Sequence, residues 1–163
     1  MRRKPLIAGI VIIVIAAIAV GGVLVIRGGG DDDEKAAVEV PINLEGASNV
    51  GSISIELVYD SDMLEATEVK AGKMATNAMI ESNIGIPGRV IIGIIDSSGI
   101  NGDGAIATVS FKLLGDGGSS SLILQNVETH DATTLIDVVN QTSDGSVAKR
   151  GTSIIAPAVN FVD

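Results

Sequence analysis

From Ala37 onward apolar residues recur with a period of two, and no stretch in that region keeps the 3.6-residue period of a helix. Val38, Val40, Ile42 and Leu44 alternate with Glu39, Pro41, Asn43 and Glu45. Ile53, Ile55, Leu57 and Tyr59 alternate with Ser52, Ser54, Glu56 and Val58. Ala107, Val109, Phe111 and Leu113 do the same with Ile106, Thr108, Ser110 and Lys112. Successive side chains of a strand point to opposite faces, so each run predicts a strand with one face on a core and the other in water. Further strands are predicted over 64–70, 77–84, 89–96, 121–127 and 145–148. Turn signals separate them: Asp60-Ser61-Asp62, Pro87-Gly88, Asn101-Gly102-Asp103-Gly104 and Gly115-Asp116-Gly117-Gly118. Short strands at regular spacing predict an all-β antiparallel sandwich of about nine strands. Pro41 cannot donate to a ladder and therefore suits an edge strand or a strand start. Residues 149–163 leave two readings open, a frayed tail or short segments packed on the sandwich.

A different polymer precedes this region. Leu6 to Ile26 are 21 consecutive residues without a charge, rich in Ile, Val, Ala and Leu and with no polar face. As a helix the run is roughly 31 Å long, close to the hydrocarbon thickness of a bilayer. Arg2, Arg3 and Lys4 lie before it, and Asp31, Asp32, Asp33 and Glu34 follow after three glycines. The bias of basic residues toward the cytoplasm places residues 1–5 inside, a lipid-spanning helix over 6–26, and the rest of the chain outside. The alternative is a signal peptide cleaved near Ala17-Ile18-Ala19, which gives a secreted domain. Residues 27–36 read as a flexible acidic linker. Four of the eleven basic residues lie in residues 1–30 and none of the twenty acids, so the exported part carries 7 bases against 20 acids, a net charge of −13. A surface so acidic argues against nucleic acid as a partner.

Few residues are suited to chemistry. The absence of Cys excludes a disulfide framework, an iron–sulfur cluster, a thiolate zinc site and a cysteine nucleophile. His130 is the only imidazole; with no G-x-S-x-G elbow to order a relay, it reads as a surface loop histidine. Asn101, Asp103, Gly104 and Ile106 match interior positions of a calcium-binding loop, but Gly99 and Ser110 stand where that loop needs carboxylates. No catalytic residue, metal ligand or cofactor is therefore assigned, and the chain reads as a binding protein rather than an enzyme. Asn140-Gln141-Thr142 is a glycosylation sequon at Asn140. Tyr59 and Phe111 fall on the apolar phase of their strands, which leaves little aromatic surface for stacking on sugars.

In order, Val38-Glu39-Val40-Pro41-Ile42, the strand ending Val58-Tyr59-Asp60, Leu64-Glu65-Ala66 through Ala71-Gly72, and Asn101-Gly102-Asp103-Gly104 before Ala107–Lys112 follow one family pattern. With the closing Gly145-Ser146-Val147, they resemble the cohesin domain over about residues 37–148. The resemblance implies a jelly-roll sandwich and a dockerin-bearing partner, with polysaccharide degradation as the setting. It further implies a docking face on the third, fifth, sixth and eighth strands, which this reading places at 64–70, 77–84, 89–96 and 105–113. If Val90, Ile92 and Ile94 point inward, Arg89 and Ile91 point outward. Glu65, Thr67, Glu81 and Asn83 are the polar candidates for partner contact beside them. One such module behind one apolar run resembles a surface receptor more than a scaffold. The alternatives are a carbohydrate-binding module, which shares the fold superfamily, or a subunit of a surface layer or filament.

Overall fold

Two of the predicted strand pairs are each one continuous strand. The computed structural model describes residues 37–114, 118–148 and 153–161; the apolar run 6–26 and the acidic linker 27–36 lie outside them. Strand β1, Ala37–Val58, has 22 residues and β4, Arg89–Leu113, has 25. At about 3.3 Å per residue a straight β1 would extend roughly 70 Å, far beyond the span of a domain this size, so both strands bend. They bend together. Register slips between Ile42 and Ser52, where Gly46 and Asn49 adopt positive φ (71° and 52°), and Gly99, Gly102 and Gly104 do the same on β4. The Asn-Gly-Asp-Gly segment predicted as a turn is thus a bend inside a strand. The ladder bonds lost there are replaced by side chains: Asp103 Oδ1 accepts from the Gly46 N–H at 2.6 Å and Asn101 Oδ1 from the Asn49 N–H at 2.8 Å. These two oxygens are thereby taken up by backbone amides.

The bends divide the strands between two layers. In one, β2 (Leu64–Ala71) pairs with the end of β4, which pairs with the start of β1. In the other, β3 (Met79–Ile86) pairs with the start of β4, which pairs with the end of β1, and that with β5 (Ser119–Asp131). Short strands complete the sheets: β6 (Asn140–Ser143), β7 (Gly145–Ala148), β8 (Ile154–Ile155) and β9 (Ala158–Phe161). The described part of the tail therefore packs on the sandwich. Strand β9 also departs from the antiparallel expectation, because it returns beside Asn43–Glu45 and runs parallel to β1. At Pro41 β1 is laddered on the β4 side only, which is why a proline is tolerated in so long a strand.

Both layers contribute to one core. Val38, Val40 and Ile42 from the first layer and Ile53, Ile55, Leu57, Val90, Ile92 and Ile94 from the second belong to a single buried cluster. Tyr59 and Phe111 meet edge to face across it, with centroids 5.0 Å apart. Both rings are buried and the third aromatic, Phe161, is half-buried, so none of the three is exposed. Among the described residues no helix is long and apolar enough to cross a membrane; the only helical element is a 3-10 turn, Lys73–Ala75.

Candidate functional site

The alternation that buries one face of the second layer turns the other into a grid of outward side chains. Cross-strand register aligns them in rows running from β3 through β4 and β1 to β5. One row is Met79, Ile95, Ser52 and His130; the next is Glu81, Gly93, Ser54 and Glu128. A third is Asn83, Ile91, Glu56 and Gln125, and a fourth begins with Ile86, Arg89 and Val58. Met79 and Ile95 are 67 % and 59 % exposed, and Ile86 and Ile91 are also open to solvent. Gly93 lacks a side chain at the middle of the face, and nothing lies within 4 Å of where its Cβ would stand. The result is a shallow hollow of about 260 Å³ walled by Met79, Ile95, Glu81, Glu128 and His130.

Charges on this face fall into two groups. Glu56 is paired: Arg89 Nε lies 3.1 Å from one of its oxygens, and Asn126 Nδ2 donates to the other at 2.9 Å. Glu81 and Glu128, either side of the glycine, have no ion-pair partner among the described residues. The hollow is therefore apolar at one end and acidic across its middle.

Four of the six residues singled out for partner contact, Glu81, Asn83, Arg89 and Ile91, come together here. The other two do not. Strands 64–70 and 105–113 belong to the opposite layer, where Glu65 lies 3.9 Å from Lys112 Nζ and the Thr67 hydroxyl donates to the Ser110 carbonyl. Placing all four strands on one face was mistaken because local alternation does not say which layer a strand joins after a bend. Ser52, Ser54, Met79 and Ile95 were missed although their phase was readable: Ser52, Ser54 and Ile95 are out of step with a buried neighbour, and Met79 with the half-buried Ile80. Glu128 and His130 were not readable in this way. Leu122 and Leu124 point inward, then Asn126 takes a left-handed φ of 48° in a bulge that shifts the phase, so that Thr129 is buried and Glu128 and His130 face out.

His130 is thus a strand residue rather than a loop residue. Its Nδ1 lies 3.2 Å from Ser52 Oγ and its Nε2 3.1 Å from Asp137 Oδ1. Serine, histidine and aspartate are in line, but the Asp137 side chain is 89 % exposed. Water competes for its contact with the ring, so it cannot hold one tautomer as a buried aspartate would. The contact instead ties the loop after β5 to the sheet. Asp131 closes that loop. Its Oδ1 accepts from the backbone N–H groups of Thr134 (2.7 Å) and Thr133 (2.9 Å) and from the Thr134 hydroxyl, and its Oδ2 from Asn49 Nδ2. The Thr134 and Thr133 amides, then the Asn49 side chain, hold the Asp131 carboxyl down from its ordinary 3.8 to about 2. Stabilisation by a depressed carboxyl is present above the ordinary value and is lost as pH falls through the folded one. Hydrogen exchange of the Thr133 and Thr134 amides is accordingly expected to stay protected at pH 5 and to lose protection between about pH 4 and pH 2. Unchanged protection at pH 2 would remove Asp131 from this role.

The sequon asparagine, Asn140, lies on β6 with its Nδ2 donating to Thr129 Oγ1 at 3.0 Å.

The two bent strands, the single core and the open four-strand face define a cohesin sandwich, and the cohesin domain family model matches residues 30–148; the chain belongs to that family. Cellulose-binding protein A of Clostridium cellulovorans is 27 % identical over 139 residues, which are 77 % of this chain and 7 % of that protein's length. A non-cellulosomal cohesin from the hyperthermophilic archaeon Archaeoglobus fulgidus is 26 % identical with a TM-score of 0.60, over 79 % of this chain and 82 % of that one. The sixth cohesin of scaffoldin B from Acetivibrio cellulolyticus, solved in complex with a dockerin, is 22 % identical with a TM-score of 0.57, over 78 % of this chain and 89 % of that one. At that identity the likeness establishes the fold alone.

Proposed function

We propose that this chain is a cell-surface receptor that binds a dockerin-bearing protein on the face of β3, β4, β1 and β5 and catalyses no reaction. The observation that carries the proposal is that face: exposed Met79 and Ile95 beside a glycine-floored hollow, with exposed Ile91 two residues away on β4, on a sheet of four hydrogen-bonded strands. An exposed apolar patch rimmed by polar residues on a rigid scaffold marks a protein interface. Glu81 and Glu128 suit a partner that brings a basic or hydroxyl side chain between two apolar contacts. The run 6–26 supports anchoring in the membrane, with its basic N-terminal flank inside and the domain outside. A polysaccharide partner gains no support, since no ring is exposed to stack on a sugar.

Calorimetric titration of residues 31–163 against the dockerin modules encoded in the same genome, with calcium present, is expected to give at least one complex of micromolar affinity or tighter. The same dockerin is expected to label intact cells carrying the full chain, and the chain to stay with membranes through an alkaline wash. No complex with any of these dockerins overturns the receptor reading; labelling that requires permeabilised cells, or release by the wash, overturns the anchoring.

A further inference from the structure

The loop between β5 and β6 exposes three large apolar side chains within five residues. Leu135, Ile136 and Val139 are 75 %, 67 % and 71 % exposed, and Leu135 is held at a φ of 58°, a conformation that a side chain of its size rarely takes. Such a loop ordinarily carries polar residues, and an apolar cluster left in water marks a contact. This one is also held in place. Besides the bonds to Asp131, the Asp131 N–H donates to the Ile136 carbonyl, the Leu135 N–H to the Asp131 carbonyl and the Val138 N–H to the Thr129 carbonyl. A Cβ on Gly51 would run into Ala132, so the start of the loop lies directly against β1. A preorganised loop presents its apolar tip without an ordering cost on binding.

The loop is continuous with the docking face. His130 walls the hollow through its place on β5 and also contacts Asp137 of the loop at 3.1 Å. The face itself is small: four strands about 4.8 Å apart and seven residues of about 3.3 Å cover roughly 450 Å² of flat area. A stable interface buries about 800 Å² of accessible surface on each partner, so an occupant of this face reaches at least to its edges. Beyond β5 lies this loop, bridged to it at His130 and Asp137.

We infer that the loop of residues 131–139 is a second arm of the docking surface, which contacts the same dockerin-bearing partner and helps to decide which dockerin is accepted. This rests on the receptor reading above. The test is titration of the genome's dockerin modules against the full chain in detergent and three variants: the double substitution Leu135→Ser with Ile136→Ser, Ile95→Asp on the sheet face, and Ile155→Ser, an exposed apolar residue on β8. The loop variant is expected to weaken the best complex at least tenfold with an unchanged thermal midpoint, and Ile155→Ser to leave it unchanged. Wild-type affinity in the loop variant, with loss in Ile95→Asp, overturns the loop's role and leaves the receptor reading standing. Equal loss with Ile155→Ser overturns it as well. Affinity unaffected by Ile95→Asp, or no complex with any dockerin, overturns both.

Discussion

Ile95→Asp is expected to weaken dockerin binding by about a hundredfold or more while leaving the fold intact. Ile95 stands in the row with Met79 and His130, at the apolar end of the hollow. A buried apolar anchor at the centre of an interface contributes about 2–4 kcal/mol, and 3 kcal/mol is a little more than a hundredfold in affinity. The variant also leaves a charge in the desolvated centre, beside two acids that already lack partners among the described residues. Both effects act on the complex alone. In the free protein the side chain is 59 % exposed, so the change is expected to alter stability by no more than about 0.5 kcal/mol. Calorimetric titration paired with urea unfolding separates the two. Binding that survives this change would move the docking surface elsewhere.

The reverse pattern is expected from Phe111→Ala. Phe111 has no exposed surface; it pairs with Val38 on β1 and Ala66 on β2, and its ring meets that of Tyr59. Removing it leaves a cavity between two layers that share a single cluster and cannot close without shifting both strands. Truncating a buried Phe costs about 3–5 kcal/mol, a large part of the 5–15 kcal/mol that holds a domain of this size together. The urea midpoint is expected to fall sharply with little change in slope, and the fraction still folded to bind dockerin normally. A loss under about 1 kcal/mol would show that the two layers collapse onto each other more readily than their shared core implies.

Part of this arrangement was legible in the chain and part was not. Phe111 was readable as core and Ile91 as surface from alternation, because the pleat puts neighbours on opposite faces wherever a strand runs undisturbed. The family resemblance rested on the same local segments. Glu65 and Thr67 were assigned to the wrong layer, and His130 to a loop, because in each case a bend or bulge intervenes and the local pattern carries no record of it.

Period two and the lack of Cys were enough to establish a β-fold, the inward residues of its undisturbed strands and several chemistries it cannot perform, since these depend on residue types and on side chains a few positions apart. Which four strands lie side by side was decided only when β1 and β4 bent together and the bulge at Asn126 reversed the phase of β5. Beyond the β3–β4 hairpin, that arrangement rests on pairings from 31 residues apart (Val58 with Arg89) to 81 apart (Val50 with Asp131), and no local pattern encodes them.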